Sequence, residues 1–227
     1  MNTIAWYEIF EISGRSLLFA LAATLFALLV GVPAGFALGH PRPCGSTLHR
    51  LLVSLVGALT ALPTVTLGLV LYLLFSRSGP LGFLDLLYKP GLVIFGETLL
   101  ALPLVIHHLY SGLHRPGDSR TLLLHETLIT LGAQGPGYLW AMIREKSPLV
   151  WGAATLAFGR ILGEVGLVMM VGGNIRFFTR TMTTTIALET SRGNLPEAVL
   201  LGILLVAMAL AVNILFHWFQ QQEEKMG

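Results

Sequence analysis

The feature that most constrains this chain is a series of apolar runs, each about 20 residues long. As an α-helix, about 20 residues cross the roughly 30 Å of hydrocarbon in a bilayer. Prolines at positions 63 and 103 bend such helices, and a membrane tolerates this where neighbours satisfy the freed carbonyls. The predicted membrane spans are 16–39, 48–75, 91–113, 147–172 and 195–219.

The composition agrees with a membrane location. Of 227 residues, 54% are hydrophobic and 11% are Asp, Glu, Lys or Arg. A soluble domain carries about 25% charged residues, so this chain has too few charges to cover a water-facing surface. The net charge of +2 gives no argument for a nucleic-acid partner, and the lone Cys44 excludes a disulfide framework. We therefore predict an all-α polytopic protein surrounded by lipid.

The charged loop residues set a weak orientation. Alternation of the spans places the N-terminus, the 76–90 loop and the 173–194 segment on one side, and the 40–47 loop, the 114–146 segment and the C-terminus on the other. Lys and Arg number six on the first side and seven on the second. The positive-inside rule leans towards a cytoplasmic C-terminus and an external N-terminus. We expect residues 1–227 to form a single transmembrane domain in the cell (inner) membrane, with no separate soluble module.

The 114–146 segment is too polar to cross a bilayer and too periodic to be an irregular loop. Asp118 or Ser119 is a candidate N-cap for a helix that runs to about residue 133. The run "GAQGPG" then interrupts it, and Pro136 suits the first turn of a second helix that continues to about residue 146. Two short helices between two spans predict a cytoplasmic platform that contacts another protein.

A pair of opposite charges lies within the fourth predicted span. Arg160 and Glu164 are four residues apart and share one helix face. Charges at this depth cost a few kcal/mol each by insertion scales. Three interpretations stay open: a structural ion pair, a pair in a gate that reorganises between two states, and a proton relay.

The sequence after this span is basic and rich in hydroxyls. Gly172 and Gly173 allow backbone turns that a side chain forbids, and a cradle for an anion is the alternative interpretation. The five threonines at positions 179, 181, 183, 184 and 185 supply hydroxyl donors. The guanidinium groups of the two arginines suit bidentate contact with an oxyanion. The segment is predicted either to dock on an acidic partner surface or to contact a passing tetrahedral oxyanion. The residues that carry these interpretations are Gly172, Gly173, Asn174, Arg176, Arg180, Thr183 and Thr184.

Two motifs resemble those of a known family. Glu126, followed six residues later by Gly132 and an apolar stretch, resembles the cytoplasmic loop of ATP-binding-cassette (ABC) importer permeases, although Thr127 and Leu128 replace the usual alanines. The run "FGRILGEVGLVMMVGGNIRFFTRTMTTTIALETSRGN" resembles molybdate- and tungstate-type permeases, and its doubled Gly before Asn-Ile leans towards the tungstate branch. The resemblance is strong over residues 120–227 and rests on pattern alone over the first three spans.

The resemblance implies a function and a set of partners. The chain would be the permease of an ATP-driven importer of tungstate or molybdate, with a type I importer fold, working as a homodimer with two cytoplasmic ATPase subunits and an external substrate-binding protein. ATP and Mg would bind to the partner, since no G-x-x-x-x-G-K-[ST] occurs here. A coupling helix at 132–139 would dock on the ATPase. The implied coupling residues are Glu126, Gly132, Ala133, Gln134, Gly135 and Leu139.

Other functions remain as alternatives. A proton-coupled secondary transporter of an anion would use Glu164 or Glu97, although such folds usually carry internal repeats that we do not find here. An ABC permease for another oxyanion or small solute is a second alternative. A membrane enzyme is a third, but no G-x-S-x-G nucleophile motif occurs. We expect no metal or cofactor to be bound by this chain itself.

Overall fold

The computed structural model describes residues 6–39, 47–114, 119–132 and 135–226, and within these ranges the chain forms helices and turns without a β-strand. A short 3-10 turn, Gly82–Leu84, interrupts the loop before the third predicted span. The α-helices in chain order are α1 Trp6–Gly39, α2 Thr47–Thr60, α3 Thr64–Phe75, α4 Pro90–Leu113, α5 Ser119–Thr130, α6 Gly135–Glu145, α7 Ser147–Leu162, α8 Gly166–Gly172, α9 Met182–Ser191 and α10 Leu195–Met226.

The helices agree with the predicted spans in number. In the described residues, three helices are long and apolar enough to cross a membrane, and up to five spans result if each of two bent helix pairs counts as one. The three are α1, α4 and the 195–218 part of α10, and the bent pairs are α2 with α3 and α7 with α8. The chain is therefore a multi-pass membrane protein.

The first helix begins earlier than predicted. The expected span started at residue 16, but α1 starts at Trp6 and includes Glu8 and Glu11. The prediction stopped short because acids disfavour a membrane span. Glu8 is nevertheless buried, because arginines from the far end of the sequence pair with it.

Close packing of α1 on α4 forms the centre of the main core. Glycines spaced by four face α4, and a Cβ added at Gly35 would lie only 2.8 Å from the Leu109 Cβ. Small residues at this spacing let two membrane helices approach closely, which gains van der Waals contact. The α1 glycines and the α4 side chains against them are, in order, Gly31 with Val105, Gly35 with Leu109 and Gly39 with Leu113.

Two of the spans are bent. The α2–α3 pair bends by 97° at residues 61–63, where Pro63 was expected to break the helix. The α7–α8 pair, which covers the predicted span 147–172, bends by 63°, and nothing in the sequence indicated this bend. The two short second halves pack on each other: a Cβ at Gly68 of α3 would lie 3.1 Å from the Cα of Leu167 in α8. Together with the start of α4 they form a second apolar cluster.

The remaining helices also depart from their expected ends. Helix α10 continues to Met226, beyond the predicted membrane span of 195–219, and its part long and apolar enough to cross a membrane, 195–218, agrees with that span. Helix α5 ends at Thr130 and α6 already begins at Gly135, so the two platform helices are separated as expected but at shifted positions. Met142 of α6 is buried in the main core, which attaches the platform to the membrane helices.

Candidate functional site

Glu164 forms the bend between α7 and α8. Its Oε2 accepts a hydrogen bond from Nη1 of Arg160 at 2.8 Å, and its Oε1 accepts from the backbone N–H of Leu167 at 3.0 Å. The carboxylate therefore satisfies a donor at the start of α8 that the bend leaves without a helical partner. The predicted Arg160–Glu164 pair thus exists, and it lies across a break in the span.

The same glutamate connects two further helices. Its backbone carbonyl accepts a hydrogen bond from Oγ1 of Thr183 in α9 at 2.8 Å. A Cβ at Gly166 would lie 3.3 Å from Oγ1 of Thr64 and 3.5 Å from Oε1 of Glu164. The first turn of α3 therefore lies beside the carboxylate, and the two bent spans break at the same place. Movement of either half-span would disturb this junction.

Burial differs sharply between the two members of the pair. The Glu164 side chain is 3% exposed, whereas that of Arg160 is 40% exposed. A guanidinium is costly in hydrocarbon, so an exposed one at this depth favours contact with water or with another protein surface. The junction therefore has one buried anion that holds it together and one cation that is accessible from outside the chain.

A second buried carboxylate lies on α4. Glu97 is 3% exposed, and its Oε2 has no hydrogen-bond partner within the described residues. Buried polar atoms without partners are rare in native proteins. Its position on a membrane helix makes it a functional candidate.

The double glycine packs against the preceding loop. Gly173 has φ +66°, and a Cβ there would lie 2.7 Å from the Tyr88 ring. Oγ1 of Thr179 donates to the carbonyl of Gly172 and accepts from the N–H of Ile175. Asn174 also has positive φ, at 50°. The space beside Gly173 is thus filled by an aromatic ring, which argues against the anion-cradle interpretation of these glycines.

The arginines of the following loop converge on one carboxylate. Nε and Nη2 of Arg176 donate to the two oxygens of Glu8 at 2.9 and 2.7 Å, and Nη1 of Arg180 lies 3.6 Å from Glu8 Oε1. Nε of Arg180 donates to Oδ1 of Asn174 at 3.2 Å, and Nη1 of Arg15 donates to the Arg180 carbonyl at 3.1 Å. Residues 176–179 form turns and not a helix, so it is this shared partner that brings the two loop arginines together.

The surroundings shift the pKa of both loop arginines. The hydrogen bond from Arg176 to Glu8 raises the pKa of Arg176, whereas burial lowers the pKa of Arg180. An arginine stays protonated under physiological conditions in either case. The loop therefore keeps both positive charges while a carboxylate neutralises part of them.

The threonines are buried, which argues against the expectation that their hydroxyls contact a partner surface or a passing anion. Thr181, Thr183, Thr184 and Thr185 are each at most 6% exposed. Thr181 and Thr184 form a capping box at the start of α9, in which each side chain bonds the other's backbone N–H. The hydroxyls of this box satisfy backbone groups at the start of α9, and the Thr183 hydroxyl ties α9 to the Glu164 carbonyl. Thr183 and Thr184 thus act within the fold in this state.

The residues that were predicted to couple to an ATPase fall on the platform segment, and four of the six are described by the structure. Glu126 is exposed on α5, and Leu139 is half-buried on α6. Gly132 follows α5 in a turn with φ +76°, and Gly135 starts α6 with φ +55°. The expected docking helix at 132–139 therefore begins only at Gly135, because Gly132 adopts a left-handed conformation that ends the preceding helix. Ala133 and Gln134 lie outside the described residues.

Comparison with known proteins gives this geometry a context. No protein-family model matches the chain. The tungstate uptake system permease protein TupB of Peptoclostridium acidaminophilum is 34% identical over 215 residues, which cover 95% of this chain and 91% of that protein. The chain belongs to this family of ABC transporter permeases. TupB of Campylobacter jejuni is 37% identical over 170 residues, 75% of this chain and 70% of the relative.

Further matches extend the family and its fold. The molybdenum transport system permease protein ModB of Mycobacterium tuberculosis is 30% identical over 202 residues, which cover 85% of this chain and 73% of ModB. A chain from an inward-facing structure of the MetNI methionine ABC transporter superposes with a TM-score of 0.78 at 17% identity, covering 98% of the permease and 99% of that chain. The predicted family and the type I importer permease fold are confirmed, and the similarity extends through the first three spans.

Glu8 is a site residue that the sequence did not predict. Glu8 partners both loop arginines, yet it lies 168 residues from Arg176. An acid in the first turn of an otherwise apolar helix was the available signal, since such a group needs a cation nearby.

Proposed function

We propose that the permease works as a homodimer and forms the translocation pathway of an ATP-driven importer of tungstate or molybdate. The supporting observation is the similarity to a tungstate uptake permease over 95% of the chain. Both anions are tetrahedral dianions of nearly equal size, so the residues do not separate them. The chain is a transport subunit, and ATP hydrolysis belongs to a partner.

The junction around Glu164 is the proposed gate. It lies where two bent spans meet. The buried carboxylate of Glu164 joins α7 to α8, and the backbone carbonyl of the same residue accepts a hydrogen bond from α9. Ion pairs and packed helix ends of this kind have discrete arrangements, as a two-state element requires. The exposed Arg160 offers a positive charge to an anion that passes the junction.

The platform is the proposed contact with two cytoplasmic ATPase subunits. Met142 fixes helix α6 to the main core, and the exposed Glu126 of α5 lies on the same segment. ATP and Mg bind to the ATPase, and this chain binds no cofactor. We place the protein in the inner membrane with the platform and the C-terminus in the cytoplasm. The end that carries Glu8 and Arg176 is then external, where a substrate-binding protein delivers the anion.

The decisive experiment is transport by vesicles that contain the permease, its ATPase and its binding protein. We expect ATP-dependent uptake of tungstate and molybdate, with no uptake when the ATPase is omitted. An excess of unlabelled sulfate tests whether another oxyanion is the substrate. Uptake that persists without the ATPase would contradict the proposed function.

A proton-coupled carrier is the second candidate, favoured by one observation. Glu97 is buried on a membrane helix, with an oxygen that has no partner in the described part of the chain. Carboxylates of this kind serve as proton relays in transporters. Uptake by the permease alone, abolished by an uncoupler, would support this candidate instead.

Replacing Gly132 with valine should release the ATPase. Gly132 has φ +76°, and no atom of the described residues lies within 4 Å of a Cβ placed there, so valine is opposed chiefly by backbone strain. Such strain costs about 1–3 kcal/mol, which corresponds to an affinity for the ATPase that is about 5-fold to 150-fold weaker. The amount of ATPase that co-purifies with the permease measures the effect.

Asparagine tolerates the left-handed region, so Gly132→Asn should retain the ATPase. Gly202→Val in α10 is the control, because its glycine also has open surroundings but no positive φ. If asparagine and valine at residue 132 behave alike, the backbone explanation is wrong.

A further inference from the structure

The carboxylate of Glu8 occupies the guanidinium groups that were expected to meet an anion. Both of its oxygens accept from one edge of Arg176, at 2.9 and 2.7 Å, and Arg180 lies 3.6 Å away. The Glu8 side chain is 9% exposed, Arg180 is 16% exposed and Arg176 is 52% exposed. Arg176 is therefore reachable from solvent although it is already paired.

A carboxylate and a tetrahedral oxyanion place similar demands on a guanidinium. Each presents two oxygens along an edge, and the planar fork of arginine donates two parallel hydrogen bonds to it. A doubly charged oxyanion gains more Coulomb energy from two arginines than a singly charged carboxylate does. The same donors therefore accept either partner, but not both at once.

The cluster keeps positive charge in excess. Arg15, Arg176 and Arg180 lie together with Glu8 and Glu11, and Arg15 forms an ion pair with Glu11. Three cations against two anions leave one positive charge, so an arriving anion is still attracted while the clasp between Glu8 and the loop arginines is closed.

Other contacts keep α1 and the arginine loop together when the Glu8 carboxylate dissociates from the arginines. Ile9 and Ile12 of α1 pack in an apolar cluster with Met182 of α9. The backbone N–H of Met182 also donates to Oγ of Ser16 at 2.8 Å. The guanidinium of Arg176 lies over the Phe177 ring, 4.7 Å from its centroid. The arginines thus stay in place during an exchange of partners.

We propose that Glu8 is an internal competitor of the transported oxyanion: its carboxylate occupies Arg176 and Arg180 until an anion, delivered at high local concentration, displaces it. The proposal rests on the proposed function, since it requires an oxyanion as substrate. The clasp keeps a free anion at low concentration from engaging the loop, so the transporter responds to anion delivered by its binding protein.

Glu8→Gln in the complete transporter tests this. Glutamine keeps the size of the side chain but removes the charge that competes with the anion. We expect free tungstate, without the binding protein, to stimulate ATP hydrolysis by the Glu8→Gln transporter at a concentration about tenfold lower than in the wild type, the scale of one charge-assisted hydrogen bond. The matched control is Asp85→Asn, which removes a carboxylate from the exposed Asp85–Lys89 pair.

Second variants keep the outcome interpretable. Adding Arg176→Gln to Glu8→Gln should abolish the gain, because the donors themselves are lost. If Glu8→Gln only lowers the amount of folded protein, or responds to tungstate as Asp85→Asn does, the competitor role is wrong. Failure of the proposed function looks different, since even the wild type with its binding protein would then show no tungstate-dependent ATP hydrolysis.

Discussion

The Gly35→Leu permease is expected to fail to assemble into a stable, folded membrane protein. A Cβ at this position meets the Leu109 Cβ at 2.8 Å and the Ile106 carbonyl at 3.4 Å, and leucine adds further atoms beyond it. The backbones of α1 and α4 would have to separate, and the main core would separate with them. Overpacking of a well-packed core costs about 3 kcal/mol at the upper end of its usual range.

The fraction of monodisperse protein after extraction, together with the thermal unfolding midpoint, measures this loss. Gly14→Leu is the control on the same helix, because within the part of the chain that the structure describes no atom lies within 4 Å of a Cβ placed there. We expect Gly14→Leu to extract and unfold like the wild type. Equal behaviour of the two variants would show that α1 and α4 do not pack through this glycine stripe in the membrane.

The Glu164→Leu permease is expected to lose transport and part of its stability. Leucine leaves Arg160 without its carboxylate and the Leu167 N–H without its acceptor. Breaking a buried ion pair costs 3–5 kcal/mol, and the partial exposure of Arg160 lowers our expectation to about 2 kcal/mol. Uptake by vesicles should fall to background, because the junction between the two bent spans loses its buried carboxylate.

Glu164→Gln gives the graded comparison. Its amide oxygen still accepts from Leu167, so stability should fall by less than in Glu164→Leu, while the ion pair to Arg160 is lost in both. If the ion pair only supports the fold, Glu164→Gln should transport at a rate that follows its amount of folded protein. Transport lost out of proportion to folded protein supports the gate.

The spans were predictable because they depend on a local property. The length and polarity of each apolar run decide whether it crosses a membrane, and Pro63 indicated one of the two bends. The bend after α7 has no proline. It forms where a glutamate side chain replaces the helical acceptor for Leu167, and a side chain that both pairs with Arg160 and caps a helix is not distinguishable in a sequence from an ordinary i,i+4 ion pair.

The arginine loop shows the limit of local patterns. Arginines and threonines in sequence resemble a hydrated surface, but here the threonines cap α9 internally and the arginines reach Glu8. Only the path of the whole chain brings Glu8 to the loop. The family motifs predicted the type of protein, whereas the competition between a carboxylate and an anion appeared only in the folded arrangement.

The bent spans have a consequence for how the protein is made. Helix α3 has 12 residues and α8 has 7, so at about 1.5 Å per residue neither crosses the hydrocarbon alone. During synthesis, α3 leaves the ribosome long before Leu167, on which Gly68 packs. The α2–α3 span therefore gains this packing partner only after α8 has been synthesised, and we expect mutations in α8 to lower the fraction of correctly inserted α3.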